Sequence, residues 1–198
     1  MSEKPAEPVG CRGATIALHG GGYFDFERPE QSPIRLADIA TALSRICRFG
    51  GHCTAFYSVA QHSVLVSRVV PPEHAAAGLM HDAAEAYMGD CVKPLKHMLG
   101  DAYLAIEGRV EAAIFSRFGL PYPLSDAVKH ADLRLLRTEK RDLTRHDTDL
   151  WTRLAEYDPL PDAIFPLPPE LAARLFRERA AELGLRDPQS SPPLKTPR

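Results

Sequence analysis

Residues 75–90, AAAGLMHDAAEAYMGD, form an almost wholly apolar stretch with His81, Asp82 and Glu85 embedded in it. A helix that is apolar on most of its circumference is buried. A buried aspartate is costly unless it is paired or binds a cation. A His-Asp pair in such a setting is best explained by a metal ion between the two side chains, so the rest of the chain must supply further ligands. With 198 residues, 44% of them hydrophobic, the chain can bury one sizeable core, and one domain is expected.

The charge balance narrows the partners. Twenty-four Lys and Arg against 26 Asp and Glu give a formal net charge of −2, with no basic excess for a phosphate backbone, so a nucleic-acid polymer is not expected. The longest apolar runs fall well short of the roughly 20 residues that cross a membrane. The first ten residues, MSEKPAEPVG, carry charges and prolines but no apolar core, so a cytoplasmic location away from membranes is expected. Cys11, Cys47, Cys53 and Cys91 show no CxxC and read as reduced thiols.

Residues 1–10 read as a disordered lead, 11–186 as the single domain, and 187–198 (DPQSSPPLKTPR) as a disordered tail. Within the domain, ATIALHGGGYFDFER predicts a small hairpin turned by Gly20, Gly21 and Gly22. The pattern then becomes helical near 36–47, 57–70, 73–88, 101–118, 124–146 and 169–184, with Gly and Pro breakers between several segments. The expected class is all-α, mostly helical, with a small N-terminal β-hairpin.

Three helices carry a polar residue where periodicity demands an apolar one. In SVAQHSVLVSRVV, Val59, Val66, Val69 and Val70 define an inward stripe, and His62 lies on it. In DAVKHADLRLLRTEK, Asp132 follows Val128 by four residues and shares the face of Leu135 and Leu136. The third case is His81-Asp82. Alone, His62 reads equally as a hydrogen-bonded core histidine, and Asp132 as a salt-bridge partner. Together, two histidines and two carboxylates from three helices make a mixed N/O ligand set. Such a set suits one catalytic divalent ion (Mn²⁺, Co²⁺, Zn²⁺, Fe²⁺ or Ni²⁺), with positions left for water and substrate.

The order His62, His81-Asp82, Asp132 resembles the HD-domain metal-dependent phosphohydrolases. YSVAQHS around His62, and HDAAEAYMGD followed by PLK, are similar to the branch containing bacterial 5′-deoxynucleotidases and phage deoxynucleoside triphosphate triphosphohydrolases, over residues 36–146. The resemblance implies that Glu85 acts beside the metal, that Asp90 is a second active-site carboxylate, and that Arg48 binds substrate. It places Phe49 where the branch often has tryptophan, and Lys96 on the phosphate, with Lys93 as its neighbour and competitor. It also implies a dimer or larger homo-oligomer. His52, after Gly50-Gly51, can reach substrate. Glu85, at i+4 from His81 and i+3 from Asp82, shares their helix face and can direct the attacking water or move the proton. As alternatives, Glu85 is a helix-surface glutamate, Asp90 a turn residue, and the lysines solvated charges.

The function expected from these features is release of phosphate from deoxynucleoside 5′-monophosphates, with Mg²⁺ arriving with substrate as a further ion. The rival within the class is a deoxynucleoside triphosphate triphosphohydrolase. From other classes come a catalytically idle nucleotide-binding regulatory domain and a di-metal bundle oxygenase, for which ligand histidines near His81 are missing.

Overall fold

The computed structural model describes residues 13–145 and 154–187. The expected lead at 1–10 and nearly all of the expected tail lie outside these residues, as does His146. The described chain is mostly helical with one small hairpin, as its periodicity predicts. Strand β1 (Thr15–Ala17) pairs antiparallel with β2 (Tyr23–Asp25), with Ile16 opposite Phe24. Gly21 and Gly22 turn the hairpin at φ of 84° and 86°. It is pinned to the helical body by Phe24, which is fully buried and stacks on Tyr87 with ring centroids 4.0 Å apart.

The helices are α1 (Leu36–Arg45), α2 (Val59–Val69), α3 (Ala75–Met80), α4 (Glu85–Met88), α5 (Lys93–Leu99), α6 (Asp101–Arg117), α7 (Asp126–Leu143) and α8 (Pro169–Glu182). Helix α2 is central and packs against α1, α3, α7 and α8. Its start is capped by Ser58, whose side chain accepts a hydrogen bond from Gln61 N. Its burial is wider than the expected valine stripe, since Ala60, Gln61, Ser63 and Val64 are buried as well. Val59, Val66, Leu79, Met80, Val128, Leu135 and Phe176 belong to one continuous core around it. No helix among the described residues is long and apolar enough to cross a membrane.

Two segments differ from the periodicity. The expected continuous helix 73–88 is interrupted by a turn at His81–Ala84. There Ala83 N bonds Met80 O and Glu85 N bonds Asp82 O, both at 3.0 Å, which is the tighter three-residue spacing. Nδ1 of His81 donates to Gly78 O at 2.9 Å, the carbonyl that an α-helix would offer to Asp82 N. Helix α5 was not expected at all. It has no buried residue, and Leu95, Met98 and Leu99 are exposed, so it lacks the inward stripe on which the other helices were read.

The approach of α3 to α2 is set by Gly78. A Cβ built there would lie 3.0 Å from Val70 Cγ1 and 3.3 Å from Ser67 Cα. Gly78→Val should therefore push the two helices apart and lower stability by about 1–3 kcal/mol. A urea titration of the variant would measure this; an unchanged midpoint would mean that the contact is slack.

Candidate metal centre

The central helix brings His62 into the core with no exposed surface. The turn after α3 brings His81 and Asp82 to it, and α7 brings Asp132. The Nε2 atoms of the two histidines face one another at 3.2 Å. Asp132 Oδ1 lies 3.2 Å from His62 Nε2 and 3.9 Å from His81 Nε2. Asp82 Oδ2 lies 3.2 Å from His81 Nε2 and 3.5 Å from His62 Nε2. Ligands bound to one ion at about 2.0–2.2 Å stand about 2.8–3.6 Å apart in tetrahedral or octahedral geometry. All but the widest of these separations fall in that range. His62, His81 and Asp132 alone already form a group that can hold a metal ion.

The outward nitrogens of both rings are engaged. Nδ1 of His62 meets Glu139 Oε1 at 2.6 Å, and Nδ1 of His81 meets Gly78 O. Each Nδ1 therefore carries the proton, leaving the Nε2 lone pairs aimed at a common point with two carboxylates. Four acceptors converging in a buried place repel one another unless a cation or protons lie between them. This donor set fits a divalent ion.

Glu139 is fully buried, and the sequence reading missed it. Arg48 holds it by two contacts of 3.3 Å, from Nε and Nη2 to Oε2. A third 3.3 Å contact runs from Arg48 Nη1 to Asp82 Oδ2, so one guanidinium links a ligand to the group behind another ligand. Burial pushes Glu139 up, but Arg48 and His62 outweigh it and hold the carboxyl below its ordinary value. Burial likewise opposes ionisation of Asp82 and Asp132. The neighbouring imidazoles prevail at both, with Arg48 also helping at Asp82. Burial and Arg48 disfavour a charged His62, yet Glu139 and Asp132 carry it up to about 9.

No family model matches the chain. Over 171 residues it is 44% identical to "Uncharacterized protein YfdR" of Escherichia coli, a match spanning 85% of this chain and 95% of that protein. The chain belongs to the YfdR family. "Uncharacterized protein RCAP_rcc00048" of Rhodobacter capsulatus is 34% identical over 136 residues, covering 62% of this chain and 69% of the relative.

In this YfdR-family chain the remaining expected site residues are distributed around the cluster. Glu85 begins α4, and its Oε2 is buried with no hydrogen-bond partner among the described residues. Burial, with the Asp82 and Asp90 carboxylates nearby, pushes it up to about 10. A surface glutamate would behave otherwise, so that alternative is set aside. Asp90 is partly buried and also raised, chiefly by burial. Lys96 meets Glu107 at 2.6 Å, and Lys93 reaches to 3.8 Å from Asp132 Oδ2 while staying exposed. Phe49 lies beside the Arg48 guanidinium, 5.7 Å from ring centroid to Cζ, and holds a left-handed backbone at φ 58°. His52 is exposed on the same loop. The hairpin lines a cavity of about 110 Å³ with α1, Ala86 and Tyr87; His62, His81, Asp82 and Asp132 do not border it.

Glu139 could have been found. It lies seven residues after Asp132 and four after Leu135, on the inward face of α7. Glu139→Gln keeps the shape but removes the charge that fixes the His62 ring, and should weaken metal affinity about 10–100-fold, read by competition with a chelating dye. The pH dependence follows from His62. In metal-free protein its pKa is about 9 against about 6.5 unfolded, so its contribution to stability is full below about pH 6.5 and is lost as pH rises through 9. Metal must displace that proton, so affinity should increase from pH 7 to 9 and then level. Flat affinity over this range would contradict the assignment of His62 as a ligand.

Proposed function

We propose that this protein is an HD-type metal-dependent phosphohydrolase that releases phosphate from deoxynucleoside 5′-monophosphates. The observation that carries the reading is the convergence of His62, His81, Asp82 and Asp132 beside a partly buried Glu85 whose Oε2 has no hydrogen-bond partner among the described residues. His62, His81, Asp82 and Asp132 would hold a divalent ion, which would supply Lewis acidity and help activate water. Arg48 contributes fixed positive charge at the Asp82 side, where phosphate charge develops in the transition state. Glu85, beside the four residues, is placed to direct the attacking water or to protonate the departing ester oxygen. Phe49 offers an apolar wall for the nucleoside.

A monophosphate is favoured over a triphosphate by the charges next to the site. Lys96 is paired with Glu107, and Glu85, Asp90 and Glu111 lie within electrostatic reach of the same lysine. That leaves Lys96 itself with little free charge to offer three phosphates. Metal and base preference are read in the same assays; self-association into a homo-oligomer belongs to the same proposal and is read by the protein's mass in solution.

Purified protein loaded with Mn²⁺ or Co²⁺ should release inorganic phosphate from deoxynucleoside monophosphates in a nucleotide panel. Triphosphate release would favour the rival substrate class, and no turnover on any nucleotide would contradict both. Glu85→Ala should lower turnover by about 10²–10⁴-fold while metal content stays unchanged. A regulatory domain that keeps metal for stability would be indifferent to this substitution.

A further inference from the structure

Two thiols outside the metal cluster face each other. Cys47 Sγ and Cys53 Sγ are 3.5 Å apart, both free and both partly buried. They bracket the loop that carries Arg48, Phe49 and His52. Its first end is fixed by a backbone bridge from Cys47 to Ser58 and by Arg48 N bonding Tyr57 O at 2.9 Å. Its far end is fixed at Thr54, whose N bonds Leu143 O at 2.8 Å. Between the anchors the chain turns through three consecutive left-handed residues, Phe49, Gly50 and Gly51, at φ of 58°, 58° and 83°. A non-glycine residue in that region costs about 1–2 kcal/mol, which the surrounding anchors must hold in place. The anchored ends hold the two sulfurs together in the folded chain, 3.5 Å apart against the roughly 2.05 Å of a disulfide.

We propose that Cys47 and Cys53 form a reversible dithiol–disulfide site, oxidised by a small-molecule disulfide of the glutathione class. The thiolate of one cysteine attacks a sulfur of the oxidant and expels one thiolate, leaving a mixed disulfide on the protein. The second cysteine attacks the protein sulfur of that mixed disulfide, forming the Cys47–Cys53 bond and expelling the second small thiol. Two electrons pass from the protein to the oxidant, and the two cysteine protons end on the two released thiols. The product closes a ring around Arg48, the residue that joins Glu139 to Asp82. This inference does not depend on the chain being a hydrolase. Cys91, also partly buried but with no cysteine partner among the described residues, is the internal control.

The test uses the full folded chain equilibrated with mixtures of reduced and oxidised glutathione, quenched with an alkylating agent and mapped after trypsin digestion. Cleavage after Arg45, Arg48 and Arg68 puts Cys47 and Cys53 on separate peptides. The expected result is a linked pair of these peptides that a reductant separates, with Cys91 carrying only alkyl or glutathione. Cys47→Ser should leave Cys53 as a glutathione adduct, and Cys91→Ser should leave the link intact. Unfolding in urea should reduce the link by about tenfold or more at the same glutathione ratio, because the folded chain supplies the proximity. The proposal is overturned if no linked pair forms while Cys91 takes up glutathione, or if the link forms equally in the unfolded chain.

Discussion

Glu139 meeting Nδ1 of His62 at 2.6 Å is the contact on which the rest of the site depends. It orients a ring that sits in the most buried part of the molecule and fixes which nitrogen is left to bind a cation. A lone carboxylate with no exposed surface would not stay ionised there, and Arg48 supplies the balancing charge. Arg48 in turn touches Asp82, so His62, Glu139, Arg48 and Asp82 form one connected polar chain inside an otherwise apolar core. Removing either charge from its middle leaves the other buried without a partner, a loss typically of about 3–5 kcal/mol.

The fold exists to hold this chain of contacts. Helix α2 presents His62 from the centre, α7 presents both Asp132 and Glu139 from one face, and Gly78 lets α3 come close enough to deliver His81 and Asp82. The tightened turn at His81–Ala84 places Asp82 and Glu85 on one side, with Asp82 against the two imidazoles and Glu85 beside it. Their environments separate them. Asp82 lies against two imidazoles and a guanidinium, whereas at the partly buried Glu85 desolvation and the Asp82 and Asp90 carboxylates outweigh Arg48 and Lys96. A pair of carboxyl groups pushed in opposite directions suits division of labour between holding a cation and moving a proton.

Much of this was legible in the sequence wherever a polar residue broke an apolar period. His62 and Asp132 interrupt stripes of valine and leucine, and His81-Asp82 sits in a run of alanines, so all four residues that meet in the fold were singled out as candidates without tertiary information. Glu139 follows the same rule but stands among Thr138, Lys140 and Arg141, where polar neighbours hide the interruption. Helix α5 was missed for the opposite reason, since its apolar residues point to solvent and give no inward stripe. The contacts of Arg48 with Glu139 and Asp82 were not legible, because periodicity cannot show which carboxylates a long side chain reaches across the fold. The contact of Cys47 with Cys53 depends on a left-handed loop, which a five-residue gap between cysteines does not announce.

The central claim is that two imidazole nitrogens and two aspartates share one cation. X-ray absorption spectroscopy of the purified protein reconstituted with one equivalent of Co²⁺ or Zn²⁺ tests it most directly. The account predicts a shell of nitrogen and oxygen donors with the multiple-scattering signature of about two imidazoles and no sulfur. The imidazole signal should fall by half in His62→Ala. A sulfur shell, or a spectrum of a hydrated ion with no imidazole, would contradict it.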